Sequence, residues 1–217
     1  MIEHILFDLD GTLTDPADGI TGSVAHALKH LGHPPAPREE LERFIGPPLD
    51  EAFGGFYGFS PEKIEKAVLL FREYFSEKGI WENEVFPGIP EMLAALRGQG
   101  KTLHIATSKP TVFAKQILER FNLAEFFTIV EGSPLTHNGL PKGQVVEAVL
   151  KAGGIAPEHS IMVGDRRHDV AGAHENSLPA VGVLFGYGSR EELQAAGADY
   201  IAADVPALQS LLLKITA

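Results

Sequence analysis

Ile5-Leu6-Phe7 is a run of large apolar residues that closes on Asp8-Leu9-Asp10 and then on Gly11-Thr12-Leu13. Apolarity without alternation marks a strand covered on both faces, the condition of a buried parallel sheet. Surface solubility explains Glu39, Glu40, Glu191 and Glu192, but not an acid that ends a buried run. With the first strand at 5–9, similar runs lie at 103–106, 127–130, 160–163, 180–185 and 200–202. Helical spacing fills the intervals at 89–97, 112–121, 144–151, 191–196 and 206–213, and Gly98, Gly100, Gly153 and Gly197 supply C-terminal stops. Alternating strand and helix predicts an α/β domain with a doubly wound, mainly parallel sheet.

The alternation breaks once. Residues 10–102 separate the first strand from the second and read as free of strand. Helices are expected there at 19–31, 38–44 and 61–77, with Val24, Leu28 and Leu31, then Ile64, Val68, Phe71 and Phe75, at helical spacing. Pro and Gly punctuate 16–19 and 87–90. The expected organisation is an α/β core of residues 1–15 and 87–217 with an α-helical domain of residues 16–86 inserted into it.

Composition narrows the chemistry. The 217 residues hold 18 Lys plus Arg against 29 Asp plus Glu, a net charge of −11 that disfavours nucleic acid as a partner. No cysteine occurs, which removes disulfides, thiolate metal sites and cysteine nucleophiles and agrees with a cytoplasmic location. Glu3 stands where a signal peptide wants a base, and no apolar run approaches the roughly 20 residues that span a bilayer.

The groups that terminate the strands carry the functional reading: Asp8 and Asp10, then Thr107 and Ser108, then Gly164-Asp165. Open α/β sheets bind ligands beyond the carboxyl ends of their strands, so these groups would share one crevice. Asp8 and Asp10, two apart on extended chain, fall on one side with about 6.6 Å between Cα atoms. Asp165 and Asp169 share a face if a helix begins at Arg166. Such carboxylates repel by about 4 kcal/mol per close pair at an effective dielectric of 20. A cation is therefore expected among them, and oxygen-only donors suited to holding a phosphate favour Mg²⁺. Lys142, at the start of a helix after Pro141, would neutralise what remains.

Together, Phe7-Asp8-Leu9-Asp10-Gly11-Thr12-Leu13, Ile105-Ala106-Thr107-Ser108, Lys142 and Gly164-Asp165-Arg166-Arg167-His168-Asp169 resemble, in order and spacing, the four signatures of the haloacid-dehalogenase-like hydrolases. The insert is similar to the helical cap of many such enzymes, and the nearest groups are phosphoglycolate phosphatases and 5′-nucleotidases. The resemblance implies a Rossmann-like core and a Mg²⁺-dependent phosphatase in which Asp8 attacks phosphorus and Asp10 is acid and then base. It implies metal ligands from Asp8, the Asp10 carbonyl and Asp165, with Asp169 ligating through water or orienting Lys142. Phosphate would be held by Gly11, Thr12, Thr107, Ser108 and Lys142. This chain departs from many relatives in having Asp15-Pro16 at the cap hinge and Gly143 after the signature lysine.

The expected partner is a small phosphorylated metabolite, phosphoglycolate first and a nucleoside 5′-monophosphate second, bound by a monomer or homodimer. A sugar phosphomutase and a non-catalytic phosphate-binding module stay open as alternatives. Arg43, Gly46 and Lys109 are candidates for substrate specificity, Gly46 because residues 44–49 resemble a substrate-facing cap loop. Phe53, Phe56 and Tyr57 could form a nucleobase slot but read better as cap core. The nine scattered histidines carry no metal pattern, with His168 alone expected at the rim. Gly186 and Gly188 read as turn residues, because the further glycine of a dinucleotide fingerprint is missing.

Overall fold

The computed structural model describes residues 1–136 and 139–215. Its strands are β1 (His4–Phe7), β2 (Thr14–Asp15), β3 (Glu84–Val85), β4 (Thr102–Pro110), β5 (Phe127–Ser133), β6 (Ser160–Gly164), β7 (Ala180–Val183) and β8 (Tyr200–Ala202). Its helices are α1 (Ala17–His30), α2 (Arg38–Glu42), α3 (Leu49–Tyr57), α4 (Pro61–Glu77), α5 (Ile89–Gly98), α6 (Thr111–Arg120), α7 (Lys142–Gly153), α8 (Arg167–Glu175), α9 (Arg190–Ala195) and α10 (Val205–Ile215). Six strands form a parallel sheet in the order β5-β4-β1-β6-β7-β8.

Register explains why the strand ends converge. Phe7 pairs with Ile105 on β4 and with Val163 on β6, so Asp8, Thr107 and Asp165 leave the sheet side by side. The Asp8 N–H extends the ladder one step, to the Val163 carbonyl at 2.9 Å. Both faces of the sheet are covered, which is why the strands read as unbroken apolar runs. Ile5 and Phe7 pack into one core with α5, α6 and α10, while Leu6 faces a second core with α7, α8 and α9. Fully burying one such side chain contributes about 1.5–3 kcal/mol.

The insert is helical, with α1 and α4 joined through Ile20, Val24, Val68 and Phe71. Ser60 caps α4 by accepting the Lys63 N–H, and Pro61 occupies the first turn, where a missing N–H costs nothing. Two features correct the sequence reading. The interval 10–102 does contain strand: β2 and β3 pair antiparallel through Thr14 with Val85 and Asp15 with Glu84, a ribbon that joins the two crossings between core and cap. It also contains α3, which the pairs Pro47-Pro48 and Gly54-Gly55 disguised. That helix survives because Phe53 is fully buried against Phe44 and Phe59, a tertiary gain that outweighs two glycines at about 1 kcal/mol each. Among the described residues no helix is long and apolar enough to cross a membrane.

Candidate active site

The carboxyl ends of β1 and β4 form the floor of a cleft of about 660 Å³, its mouth included, roofed by α1, α4 and the 44–49 loop, with the end of β6 buried behind that floor. Asp8 and Asp10 sit on the floor beside Thr107, Ser108 and Lys109, all five lining the cleft. Lys142, the first residue of α7, is buried and uses all three ammonium donors. It reaches Asp8 Oδ1 and Asp169 Oδ1 at 2.8 Å each and the Ala106 carbonyl at 2.9 Å. Burial opposes the Lys142 charge, but Asp169 and Asp8 outweigh it and hold its pKa above the ordinary value.

Asp165 and Asp169 are buried behind Asp8. The sequence placed Asp165 and Asp169 on one helical face; in the structure Asp165 precedes α8 and Asp169 occupies its first turn. Asp169 Oδ2 accepts the Arg166 N–H at 3.0 Å, so this residue both caps α8 and orients Lys142. Asp165 Oδ2 accepts the Tyr187 N–H at 2.7 Å, and its other oxygen takes a long contact from the Thr12 hydroxyl at 3.4 Å. One oxygen each from Asp8, Asp165 and Asp169 lie within 4.8 Å of one another. Burial, then the adjacent Asp169 and Asp8 charges, push the Asp165 carboxyl well above the usual carboxylate range. A hard divalent ion fits this donor set, since it would relieve three buried acids that a single lysine does not neutralise.

Asp10 differs from its neighbours. Its Oδ2 pairs with Lys109 Nζ at 2.8 Å, and its Oδ1 is buried without a hydrogen-bond partner. Burial raises the Asp10 pKa and Lys109 works against it, with the net direction upward. A carboxyl held towards its protonated form, with one oxygen uncommitted, is suited to donating a proton. Lys109 is itself buried, its ammonium 4.3 Å from the centre of the Phe75 ring.

The structure gathers some of the remaining candidates and disperses others. Gly11 and Thr12 do not line the cleft, and their N–H groups donate inward, to the Thr14 carbonyl at 2.8 Å and the Leu9 carbonyl at 3.3 Å. In the structure they shape the bed of Asp165. A Cβ on Gly11, at φ +81°, would lie 2.4 Å from Asp165 Oδ2. Gly46 lines the cleft at φ +103°, where a Cβ would press within 2.7 Å of Arg166 Cγ. Arg43 is exposed and lies 4.0 Å over the Phe56 ring, away from the cleft. At Gly143 a Cβ would fall on Glu175 Oε2, so any side chain there would have to displace the end of Glu175. His168 sits at the outer edge between core and cap, its Nε2 3.3 Å from Glu51. Phe53, Phe56 and Tyr57 pack around Phe44 as cap core. The rings that face the cleft are others: Phe44, Phe71 and Phe75 from the cap and Phe113 from α6. Sequence periodicity marked Phe71 and Phe75 as buried but gave no sign that they border a ligand space.

A core of this topology, with buried acids at one set of strand ends and a helical insert above them, defines a capped α/β hydrolase. The haloacid dehalogenase-like hydrolase family model matches residues 5–183, and the chain belongs to that family. It is similar to a 5′-nucleotidase of Pseudomonas aeruginosa, 46% identical over 96% of this chain and 95% of that one. A phosphoglycolate phosphatase of Shigella boydii is 30% identical over 92% of this chain and 88% of its own. A crystal structure of a predicted phosphatase from Clostridium acetobutylicum superimposes with a TM-score of 0.96 at 43% identity, covering 99% of each chain. The protein is an enzyme, a phosphatase of this family that acts on phosphorylated substrates.

Proposed function

We propose that the protein is a Mg²⁺-dependent phosphomonoesterase that works through a phosphoaspartate on Asp8. The observation that carries this is the buried pair Asp8 and Asp10 on the floor of one cleft, one acid held by Lys142 and the other raised in pKa. In the first half-reaction an Asp8 oxygen bonds to phosphorus as the bond to the ester oxygen breaks, and Asp10 gives that oxygen a proton. In the second, the Asp10 carboxylate takes a proton from water, the water oxygen bonds to phosphorus, and Asp8 leaves with its carboxylate restored. Charge in such transfers spreads over the phosphoryl oxygens, so catalysis is mostly positioning plus electrostatic stabilisation. Asp8, the Asp10 carbonyl and Asp165 would hold the Mg²⁺, whose contribution when bound is positive charge against the phosphoryl oxygens. Lys142 offsets the acids around Asp8, and Thr107 lines the same cleft, its hydroxyl accepting the Lys109 N–H at 3.2 Å.

Among substrates we favour a nucleoside 5′-monophosphate over phosphoglycolate, reversing the order that the sequence suggested. Glycolate would need a cation for its carboxylate. Arg43 is on the cap exterior and Lys109 is engaged by Asp10, which leaves Arg72, lining the cleft from α4 with one N–H given to the Leu135 carbonyl at 2.7 Å, as the single cation for that carboxylate among the described residues. A nucleoside would need an apolar wall, which Ile20, Phe44, Leu49, Phe71, Phe75 and Phe113 supply. The relative named 5′-nucleotidase is also more similar to this chain than the one named phosphoglycolate phosphatase. No nucleic acid or membrane partner is proposed, and the active unit is a monomer or homodimer. Phosphate release should be measured with Mg²⁺ across nucleoside monophosphates, phosphoglycolate and sugar phosphates. Release from none of them overturns the phosphatase assignment, isomerisation of a sugar phosphate points to a mutase, and a higher kcat/KM for phosphoglycolate overturns the ranking.

A further inference from the structure

Gly186 and Gly188 flank Tyr187 in the loop between β7 and α9. Neither glycine has a left-handed backbone, so conformational freedom does not explain them. Close approach does. A Cβ on Gly186 would lie 2.2 Å from the Gly11 carbonyl oxygen and 2.5 Å from Asp165 Cβ, and one on Gly188 would lie 1.8 Å from the Asp165 carbonyl oxygen. The two glycines let the loop press directly onto the strand end that carries Asp165, and Tyr187 is presented from between them.

Tyr187 then makes contacts at both of its ends. Its N–H donates to Asp165 Oδ2 at 2.7 Å, and its hydroxyl donates to Asp15 Oδ1. Asp15 belongs to β2, where the chain crosses into the cap, and it pairs there with Glu84 of the returning crossing. The same Asp15 oxygen accepts the Ala17 N–H at 3.0 Å and so fixes the first turn of α1. The hinge acid at position 15 thus acquires a partner and a task. Arg166 makes a comparable link one residue beyond Asp165, its guanidinium donating to the Ile45 carbonyl beside Gly46.

We infer that Tyr187 is a positioning residue that ties the hinge of the cap to the Asp165 carboxylate: its main chain orients that acid while its side chain sets the cap over Asp8 and Asp10. The inference rests on the phosphatase reading with Asp165 at the metal. A hydrogen bond to a carboxylate is strong enough for its loss to be read, and the hinge ribbon is only two residue pairs long.

Tyr187→Phe removes the hydroxyl and keeps the N–H. It should raise KM for the preferred phosphomonoester by about five- to twentyfold, with kcat changed less than about twofold. It should also speed amide hydrogen exchange in 13–17 and 84–88 while leaving the sheet protected. Asp15→Asn, which keeps an acceptor, should retain most of the wild-type KM. Asp15→Leu, which also loses the Ala17 N–H contact, should be at least as impaired as Tyr187→Phe, and the double variant should be no worse than the poorer single one. Unchanged exchange in the two hinge segments, additive losses in the double variant, or a uniform rise in exchange with KM unaltered would each overturn the inference. Hydrogen exchange is read without turnover, so a protein that hydrolyses no ester would sink the functional reading and still leave this one open to test.

Discussion

The floor and the roof of the cleft are built on opposite principles. The floor crowds Asp8, Asp10, Asp165, Asp169, Lys109 and Lys142 into buried positions, and most of their polar atoms have named partners. The roof is mainly a wall of rings, with Arg72 as the one charged side chain it turns to the cleft among the described residues. A buried charge is tolerated only where its surroundings compensate it, so each floor residue is specified by its neighbours and stands out in the sequence. A phenylalanine in the roof is stabilised mainly by apolar contact, Phe75 alone of the cleft rings adding the Lys109 ammonium among the described residues, and a comparable contact would serve. On the function proposed above, the floor sets the reaction type and the roof the choice of substrate.

The sharpest test of that division is on the floor. Asp8→Asn should fold with the wild-type melting temperature or above it, since a buried carboxylate becomes neutral, and should lose phosphate release by about a thousandfold or more. Near-wild-type hydrolysis of an aryl phosphate by this variant would break the comparison at once. Removal of divalent ions by a chelator should abolish turnover, and added Mg²⁺ should restore it. Because Asp165 is pushed upward by burial and by its neighbours' charges, Mg²⁺ should also raise the melting temperature of the wild type. Asp165→Asn should lose most of that rise, and an equal rise in both proteins would place the ion elsewhere.

The roof predicts a smaller effect of a different kind. Phe75→Leu keeps most of the buried bulk and should lower kcat/KM for a nucleoside monophosphate by about tenfold, while phosphoglycolate changes by less than about twofold. Phe56→Ala and Tyr57→Ala, in the cap core, should affect stability and leave the ratio of the two substrates alone. Equal losses for both substrates in Phe75→Leu would mean that the ring supports the floor through its contact with Lys109 and does not read the substrate.

The same division governs what could be read from sequence. Sheet, insert and floor were legible because each rests on a local pattern: unbroken apolar runs, a change to helical spacing, acids that close strands. The ribbon of β2 and β3 was hidden because two-residue strands have no period, and α3 because Pro and Gly mask a helix held by tertiary packing. Phe71 and Phe75 show the limit most clearly, since periodicity says which face of α4 is covered and is silent on whether protein or ligand covers it. Gly11 and Thr12 stand out in the sequence beside the two acids, but the direction of their N–H groups depends on a turn that has no period to read. Tyr187 had a faint signal, a ring between two glycines after a strand, with nothing to connect it to Asp15.

The smallest predicted effect comes from the other end of the same strands, where buried polar groups sit without a site around them. His4 Nδ1 and His104 Nε2 meet at 3.1 Å between β1 and β4, and His104 Nδ1 is buried with no partner. Burial, reinforced by the neighbouring His4, lowers the His104 pKa to about 4, so the fold holds this ring neutral. Burial likewise lowers the His4 pKa. In the unfolded chain a histidine takes its proton near pH 6.5, so between that value and about 4 the unfolded state binds more protons and stability falls as pH falls. The stability is fully present above pH 6.5. Allowing for partial screening, the loss at His104 amounts to about 2 kcal/mol. His104→Leu should flatten the melting temperature between pH 4 and 6.5 while leaving kcat/KM at neutral pH within about twofold of the wild type. A variant whose melting temperature still falls as steeply over that range would remove His104 as the source of the acid sensitivity; the floor acids Asp10, Asp165 and Asp169, whose pKa values burial raises, act in the opposite sense, because the folded state takes up their protons first.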